Sequence, residues 1–356
     1  MTVAGSLAHA GTGDSEWLEL DREISSLSSP VTTAQGGITW SALLRSSLNY
    51  SDDDIATGGG KDIFGNEFQD IDLSATGQLG DFFWRIAGDM DFGDLTLEDA
   101  FVSFDCGELV NVLMGNHKPS FLRSANVAPD SLVFTNRTAL GSVFDFWDNG
   151  IAARGNFEDM VMWTISAMNG GNGEFADHAW YLRLEYALGE GAGAAEGALG
   201  AGDEFAATIG LSYANFDDIS GTGGDDQSIG LDFWGTAGPI GFGAEVLTID
   251  DGIAAVTDED FGAGLTVVGF SPDSTPWDVT GTYLINEDLE AGLRYENTDN
   301  DFDTTLLTLG IAWYMMGHNA KMTASITDID SDSGAPDGTI LQAGFTVGAS
   351  GTFGNS

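Results

Sequence analysis

The sequence predicts an all-β protein, an antiparallel transmembrane β-barrel of about sixteen strands with a short helix near its N-terminus. Three observations lead to this prediction. Large apolar residues recur at every second position, the intervening positions hold small or polar residues, and short turns alternate with long acidic connections. Because successive side chains leave a strand on opposite faces, an alternation of period two indicates β-strands.

The N-terminal region contains a candidate cleavage site and the predicted helix. The tripeptide "AHA" has the small-x-small form of a signal-peptidase site, so residues 1–10 are interpreted as a residual signal segment. An accidental match is the alternative. Residues 11–35 are predicted to form a helix and linker, because apolar residues have heptad spacing after Asp14, an N-cap residue. The helix either supports contacts between subunits or caps the barrel; its apolar residues are Trp17, Leu20, Ile24 and Leu27.

Residues 36–356 are predicted to form the barrel. In the first strand Trp40, Leu44 and Leu48 alternate with Arg45 and Ser47. The same pattern continues in "IDLSATGQL", "FFWRIAGDMDF", "MVMWTISAM", "WYLRLEYAL", "AATIGLSYAN", "SIGLDFWGT", "PIGFGAEVL", "WDVTGTYLI", "LEAGLRYEN", "TLLTLGIAWY", "AKMTASITDI" and "TILQAGFTV". A count gives about seventeen candidates, one more than a bacterial barrel with an even strand number allows. We assign the surplus segment, Phe261–Phe270, to a long outer loop, which leaves about sixteen strands.

The two faces of these strands require two environments. One face carries bulky aromatic and aliphatic side chains, and the other carries Gly, Ser, Thr, Asp and Arg. A lipid-facing belt around a water-filled lumen accounts for this combination. Closure of the barrel is required because an unpaired backbone group is costly in lipid. For a single hairpin, a soluble β-sandwich is the alternative.

The connections also fit a barrel of this kind. Short links alternate along the chain with longer, acidic, Gly-rich ones such as "SDDDIATGGGKDIFGNEF" and "NFDDISGTGGDDQ". Short turns at one end and long loops at the other are typical of outer-membrane barrels. One exception, "GEGAGAAEGALGAGDE" (189–204), falls at the short-turn end. Its Gly and Ala content predicts a flexible link.

Composition excludes several functions. The chain contains 56 acidic and 11 basic residues, with a net charge of -45. This charge excludes binding to nucleic acid backbones, and it fits either a saline habitat or the attraction of cations. No apolar run is long enough for a transmembrane helix. The single cysteine, Cys106, cannot form an internal disulfide. The histidines lack metal-ligand spacing and no motif for an enzyme or a cofactor is present, so we predict neither.

Three stretches resemble the phosphate-selective porin family, the O and P porins of Gram-negative outer membranes. The most specific is "LTLGIAWYMMGHNAKMTASIT", which is similar to the family's paired strands around GHNAK. The others are "LEDAFVSFDCGELVNVLMGNHKPSF" and "LEAGLRYE". The resemblance implies a sixteen-stranded homotrimeric porin whose third outer loop folds inward to narrow the channel. Residues 119–141 correspond to that loop.

The sequence also departs from this family. Phosphate-selective members line their channel with rows of Arg and Lys, whereas this chain has few basic residues. We therefore expect an outer-membrane porin for passive diffusion of ions and small hydrophilic solutes, with a weak preference for cations. The alternatives are an anion- or phosphate-selective porin, as in the resembled family, and a structural barrel that coats the cell surface.

Alternation places most charged strand residues on the lumen side. We expect a basic strip facing acidic residues, which creates a transverse field that orients polar solutes. The alternative is that basic residues face inward only because a lipid-facing Lys or Arg costs roughly 2–4 kcal/mol at mid-membrane. The candidate residues lining the pore or its constriction are Arg45, Arg85, Asp89, Asp99, Lys118, Arg123, Arg137, Arg154, Arg183, Asp232, Glu245, Glu290, Arg294 and Lys321.

The run "DIDSDSGAPDGT" begins like a calcium-binding loop, with Asp328, Asp330 and Asp332 at alternate positions. Its glycine comes one position late, and Thr339 occupies the place of the bidentate glutamate. A solvated acidic loop is therefore the favoured interpretation, and a Ca²⁺ site is the alternative.

Overall fold

The computed structural model describes most of the chain from residue 37 onward. The predicted signal segment, the N-terminal helix and linker, and residues 261–269 of the surplus strand candidate lie outside the described residues. The described ranges are 37–51, 63–91, 94–107, 109–158, 160–170, 178–217, 225–250, 270–271, 273–332 and 337–353.

The described residues form sixteen β-strands, in agreement with the predicted fold class. They are β1 (Ile38–Ser51), β2 (Ile63–Leu79), β3 (Phe82–Asp91), β4 (Asp94–Asp105), β5 (Asn111–His117), β6 (Asp148–Phe157), β7 (Val161–Met168), β8 (Ala179–Leu188), β9 (Ala206–Asp217), β10 (Asp225–Ala237), β11 (Ile240–Asp250), β12 (Trp277–Asn286), β13 (Leu289–Asn297), β14 (Thr305–Tyr314), β15 (Ala320–Asp330) and β16 (Gly338–Phe353).

Two short α-helices and one 3-10 turn complete the described elements. They are α1 (Arg123–Asn126), α2 (Ala139–Val143) and the 3-10 turn Pro129–Ser131, all between β5 and β6. None of the helices in the described part of the chain is long and apolar enough to cross a membrane.

Each strand pairs antiparallel with its sequence neighbours, and β1 pairs with β16 to close the ring. The closing register places Ile38 opposite Phe353. Strand β11 pairs directly with β12, so these two strands are neighbours in the ring. Closure leaves no open edge among the sixteen described strands, which is what a strand structure in lipid requires.

The predicted alternation of faces is confirmed. On β14, Leu309 is 54% exposed on the outside, whereas its neighbour Thr308 is buried on the inside. On β15, Met322 faces outward and Lys321 is buried inside. Rows of exposed Leu, Ile, Phe and Trp on the outer face would be costly in water. They fit a belt in contact with hydrocarbon, so the barrel spans a membrane.

The short turns lie at one end of the barrel, as predicted. Residues 80–81, 238–239 and 287–288 join consecutive strands there. Gly80 and Gly238 adopt positive φ values of 60° and 56°, a conformation that tight turns need and that glycine adopts without strain. The connection 189–205 is at the same end, and it differs from the flexible link that the sequence predicted.

Candidate functional site

The connection between β5 and β6, residues 118–147, folds into the lumen; we refer to it as the lumen loop. Phe121 and Leu122 are fully buried, and they pack with Phe144 of the loop and with Tyr181 and Leu247 of the barrel wall. The rings of Phe121 and Phe144 have centroids 4.5 Å apart. This apolar cluster gives the loop a core of its own inside an otherwise polar lumen.

Basic residues of the wall hold the loop by its backbone. Loop carbonyls have no sheet partner, and a buried carbonyl without a donor is costly. Wall guanidinium and ammonium groups supply these donors through the pairs Arg45–Thr135 (2.6 Å), Arg294–Asn136 (3.0 Å), Lys321–Asp130 (2.5 Å) and Arg183–Phe121.

Acidic residues of the wall hold the loop by its backbone amides. Glu245 accepts a hydrogen bond from the Ser124 amide (2.8 Å), and Glu296 accepts one from the Ala139 amide (2.6 Å). Asp232 instead forms a buried ion pair with Arg183, with Nη1–Oδ2 2.6 Å apart. Alternating donors and acceptors therefore fix the loop against the wall.

We name the lumen-facing side of β8–β16 and β1 the covered wall.

The tip of the lumen loop is seated by an aromatic contact. Phe134 is 1% exposed, and the guanidinium of Arg294 lies 4.1 Å from its ring centroid, a cation–π arrangement. Gly292 and Gly310 lie beneath the ring, where a Cβ atom would come within 2.6 Å and 2.5 Å of ring carbons. Only glycine leaves room for the ring at these two strand positions.

The connection 189–205, here called the periplasmic link, is packed against the lumen loop, so the prediction of a flexible link was wrong. Glu196 is buried, pairs with Arg294 (2.6 Å) and accepts a hydrogen bond from the Val133 amide (2.9 Å). The Ala198 amide donates to Glu290 (2.7 Å), which also accepts a hydrogen bond from Tyr314. The small residues allow close packing here instead of mobility.

Three of the predicted site residues brace the lumen loop or join it to the link. Lys118 and Arg137 both pair with Asp145, the latter with Nε–Oδ2 2.6 Å apart. Burial lowers the pKa of the Lys118 ammonium, and the charge of Asp145 opposes this shift. Arg123 lies 4.8 Å from the centroid of the Trp234 ring and donates to two carbonyls of the periplasmic link.

The lumen-facing side of β2, β3, β4 and β6 is not covered in this way; we name it the open wall. Arg85 pairs there with Asp99 (2.5 Å), and Trp147 of the lumen loop donates to the same carboxylate (3.2 Å). Arg154 is exposed and donates to Asn111. Asp148, at the start of β6, is buried, whereas the other charged residues described on this wall are partly or fully exposed: Glu67, Asp70, Asp72, Arg85, Asp89, Glu98, Asp99, Asp105 and Arg154.

The structure thus divides the predicted site residues into three groups. The first group holds the lumen loop and the link, and it comprises Arg45, Arg183, Asp232, Glu245, Glu290, Arg294 and Lys321. The second group belongs to the loop itself and comprises Lys118, Arg123 and Arg137. The third group lies on the open wall and comprises Arg85, Asp89, Asp99 and Arg154.

Sequence reasoning missed several residues of this site. Glu296 lies two positions from Arg294 on the same face, so the alternation could have identified it. Glu196 could not be found in this way, because its segment has no strand pattern. Other missed residues include Asp70, Asp72, Glu98, Asp105, Asp145, Asp148, Glu185 and Asp278.

The calcium candidate is not assembled in the described residues. Asp328 and Asp330 are exposed on the outer face of β15, and Asp332 follows the end of that strand. Residues 333–336 of the same run lie outside the described residues. Within the described part of the chain, no group of three or more His, Cys, Asp or Glu side chains could hold a metal ion.

No protein-family model and no curated protein matches the sequence. Solved structures do match the fold. An anion-selective porin from Comamonas acidovorans has a TM-score of 0.59 at 12% identity, covering 88% of this chain and 99% of that one. The outer membrane channel DcaP of Acinetobacter baumannii has a TM-score of 0.57 at 14% identity, covering 89% and 99%.

The trimer form of OmpT, an outer membrane protein of Vibrio cholerae, has a TM-score of 0.56 at 14% identity, covering 88% of this chain and 99% of that one. At such identities the likeness establishes architecture alone. This chain has the fold of the sixteen-stranded porin-type barrels found in Gram-negative outer membranes.

Proposed function

We propose that the protein is an outer-membrane porin that lets ions and small hydrophilic solutes diffuse passively through the lumen, with a weak preference for cations. The solute path runs between the open wall and the lumen loop. The observation that carries this proposal is the contrast between the two walls. Apart from Glu185, the charged side chains described on the covered wall are buried, and most of them are bonded to the loop or the link. Apart from Asp148, those described on the open wall are at least partly accessible.

Charge on the open wall favours cations. Acidic residues outnumber basic ones there, even when Arg45, which pairs with Asp70 (2.5 Å), is counted. Asp72 and Asp89 face each other across β2 and β3, which places two carboxyl groups side by side on this wall. The net charge of -45 adds a long-range field of the same sign.

The reversal potential of the purified protein in a planar bilayer tests this proposal. With a KCl gradient, we expect a potential of the sign that K⁺ permeation produces. Three equal conductance steps per insertion event would support a homotrimer, a state for which the trimer form of the Vibrio cholerae neighbour provides the precedent. A clear preference for Cl⁻ would contradict the cation assignment.

The resembled phosphate-selective family provides the second candidate function. Selectivity for anions needs basic side chains that a solute can reach. Arg183, Arg294 and Lys321 are buried and donate to the loop or to the link, which argues against that role. Phosphate that carries more current than chloride through the same channel would favour this candidate over ours.

Two other functions make different predictions in the same preparation. A structural surface barrel would conduct no ions and would not admit small sugars into liposomes. An enzyme would show hydrolysis of a lipid or a peptide, and we propose that the protein has no such activity. Assays of liposome swelling and hydrolysis on one purified sample therefore separate all three classes.

A further inference from the structure

The lumen face of β4 combines an aromatic residue with two carboxylates. Asp99, Phe101, Ser103 and Asp105 occupy alternate positions, so all four point into the lumen. Strand β3 adds Phe83 directly opposite Ser103. Two phenylalanine rings therefore lie on the open wall between two carboxylates.

The two rings differ in exposure: Phe101 is half-buried, with its ring centroid 6.4 Å from that of His117, and Phe83 is exposed. Phe83 is 38% exposed although it points inward, and its ring centroid lies 6.2 Å from that of Phe101, with the planes tilted by 41°. On the covered wall, by contrast, Tyr181 and Leu247 are buried under the loop. Apolar rings exposed to lumen water are unfavourable unless something else contacts them.

The two carboxylates of this row, Asp99 and Asp105, differ in their availability to bind a solute. Asp99 already accepts from Arg85 and Trp147. Asp105 is exposed and accepts a hydrogen bond from the Asn111 amide group (2.8 Å) at one oxygen, and the described residues form no salt bridge with it. Phe83 and Asp105 are diagonal neighbours across β3 and β4, a separation of about 7–8 Å. An ammonium group one or two methylenes from a ring can bridge that distance.

We infer that Phe83, Phe101 and Asp105, the aromatic strip, form a solute-binding site in the channel for organic cations that carry a flat apolar ring. The rings stack on the solute and attract its positive charge through their faces. Asp105 pairs with its ammonium group. Inorganic cations lack the ring, neutral aromatic molecules lack the charge, and anions are repelled. This inference rests on the proposed function, because a site near the short-turn end of the lumen acts on passing solutes only if the lumen conducts.

Block of the single-channel K⁺ current tests the strip. The probe is benzylammonium, and n-butylammonium is the matched aliphatic cation. We expect benzylammonium to block the wild-type channel at lower concentration. One aromatic contact corresponds to about 0.5–1.5 kcal/mol, so Phe83→Leu and Phe101→Leu should each weaken the block about two- to tenfold. Asp105→Asn should weaken the block by both cations.

Matched variants control for nonspecific effects. Phe82→Leu makes the same change one residue away on the lipid-facing side of β3, and Asp288→Asn removes a charge in the turn between β12 and β13. Neither should alter the block. The mobility of unheated protein in SDS gels shows which variants fold. If a Phe variant does not fold, the comparison of the two amines on the wild-type channel still tests the rings, and Asp105→Asn still tests the carboxylate.

Two results in a channel that conducts normally would contradict the binding site and leave the porin assignment intact. One is equal block by the two amines, and the other is an equal effect of Phe82→Leu and Phe83→Leu on the block. A wild-type protein that carries no current would instead overturn the proposed function. The two failures are therefore distinguishable.

Discussion

Gly310 lies beneath the ring of Phe134, and this contact determines how the tip of the lumen loop is seated. We predict that Gly310→Ala destabilises the protein, because the new Cβ would lie 2.5 Å from the ring and the ring must leave its slot. Overpacking of this kind costs about 1–3 kcal/mol. Urea unfolding in detergent micelles measures the loss. Gly281→Ala, where nothing lies within 4 Å of the new Cβ, is the control.

An equal loss for the two alanine variants would show that Phe134 is not seated on Gly310. The comparison is informative because both glycines are on strands of the same barrel and differ mainly in what faces them.

The sequence predicted that small residues line the lumen, which Gly310 does. It could not predict that a ring from residue 134 lies on this glycine, because period two says which face a residue occupies and nothing about its long-range partner.

The same limit explains the fate of the predicted basic strip. Alternation correctly placed Lys321 inside, and the cost of a lipid-facing cation gives the reason. The residues that receive its hydrogen bonds, Asp130 and Leu132, are about 190 positions earlier in the chain. The cost of lipid contact determines which face of the strand a charged side chain occupies. The hydrogen-bond partner of that side chain depends instead on how the irregular lumen loop packs.

At the scale of elements, the periplasmic link and the lumen loop stabilise each other through Glu196. We predict that Glu196→Ala loosens both, because the Val133 amide loses its acceptor and Arg294 loses its ion-pair partner. The expected result is a noisier channel with larger open conductance and faster thermolysin cleavage within residues 189–205. Glu190→Ala, an exposed residue of the same link, is the control and should behave as wild type.

Unchanged noise and cleavage in Glu196→Ala would contradict this coupling.

The link also shows where sequence-based reasoning fails at this scale. Its Gly and Ala content indicated a flexible chain, yet Gly197 at φ 98° permits a close approach to Val133 and Glu290 that a side chain would block. Small residues serve flexibility in water and close packing inside a barrel, and composition alone does not distinguish the two.

Strand β2 offers a matched test of which face meets lipid. Leu73 is 50% exposed on the outside, and its neighbour Ser74 faces the lumen. We predict that Leu73→Lys lowers the free energy of unfolding in lipid vesicles by about 2–4 kcal/mol, because a charge at mid-membrane is costly. Ser74→Lys should cost much less, since its ammonium can reach water. A larger loss for Ser74→Lys would reverse the assigned faces.

At the scale of the whole molecule, the acidic charge acts at two distances. The long acidic loops and the net charge of -45 create a field that attracts cations from solution, whereas the carboxylates of the open wall act on ions already inside the lumen. Salt separates these contributions, because the Debye length falls from about 10 Å at 0.1 M to about 3 Å at 1 M. Only the field of the acidic loops and the net charge depends on charges more than a few ångströms from the ion.

We therefore predict that the permeability ratio of K⁺ to Cl⁻ falls as KCl rises from about 0.1 M to 1 M, the range over which distant charges become screened. Reversal potentials at a fixed concentration ratio measure it. In Asp72→Asn/Asp89→Asn the ratio at 1 M should fall further towards that of free diffusion, because the carboxylates close to the ion are gone. The exposed outer-face pair Asp328→Asn/Asp330→Asn is the control with equal charge change and should leave the high-salt ratio unaltered. A ratio independent of salt would exclude the long-range field as a source of selectivity.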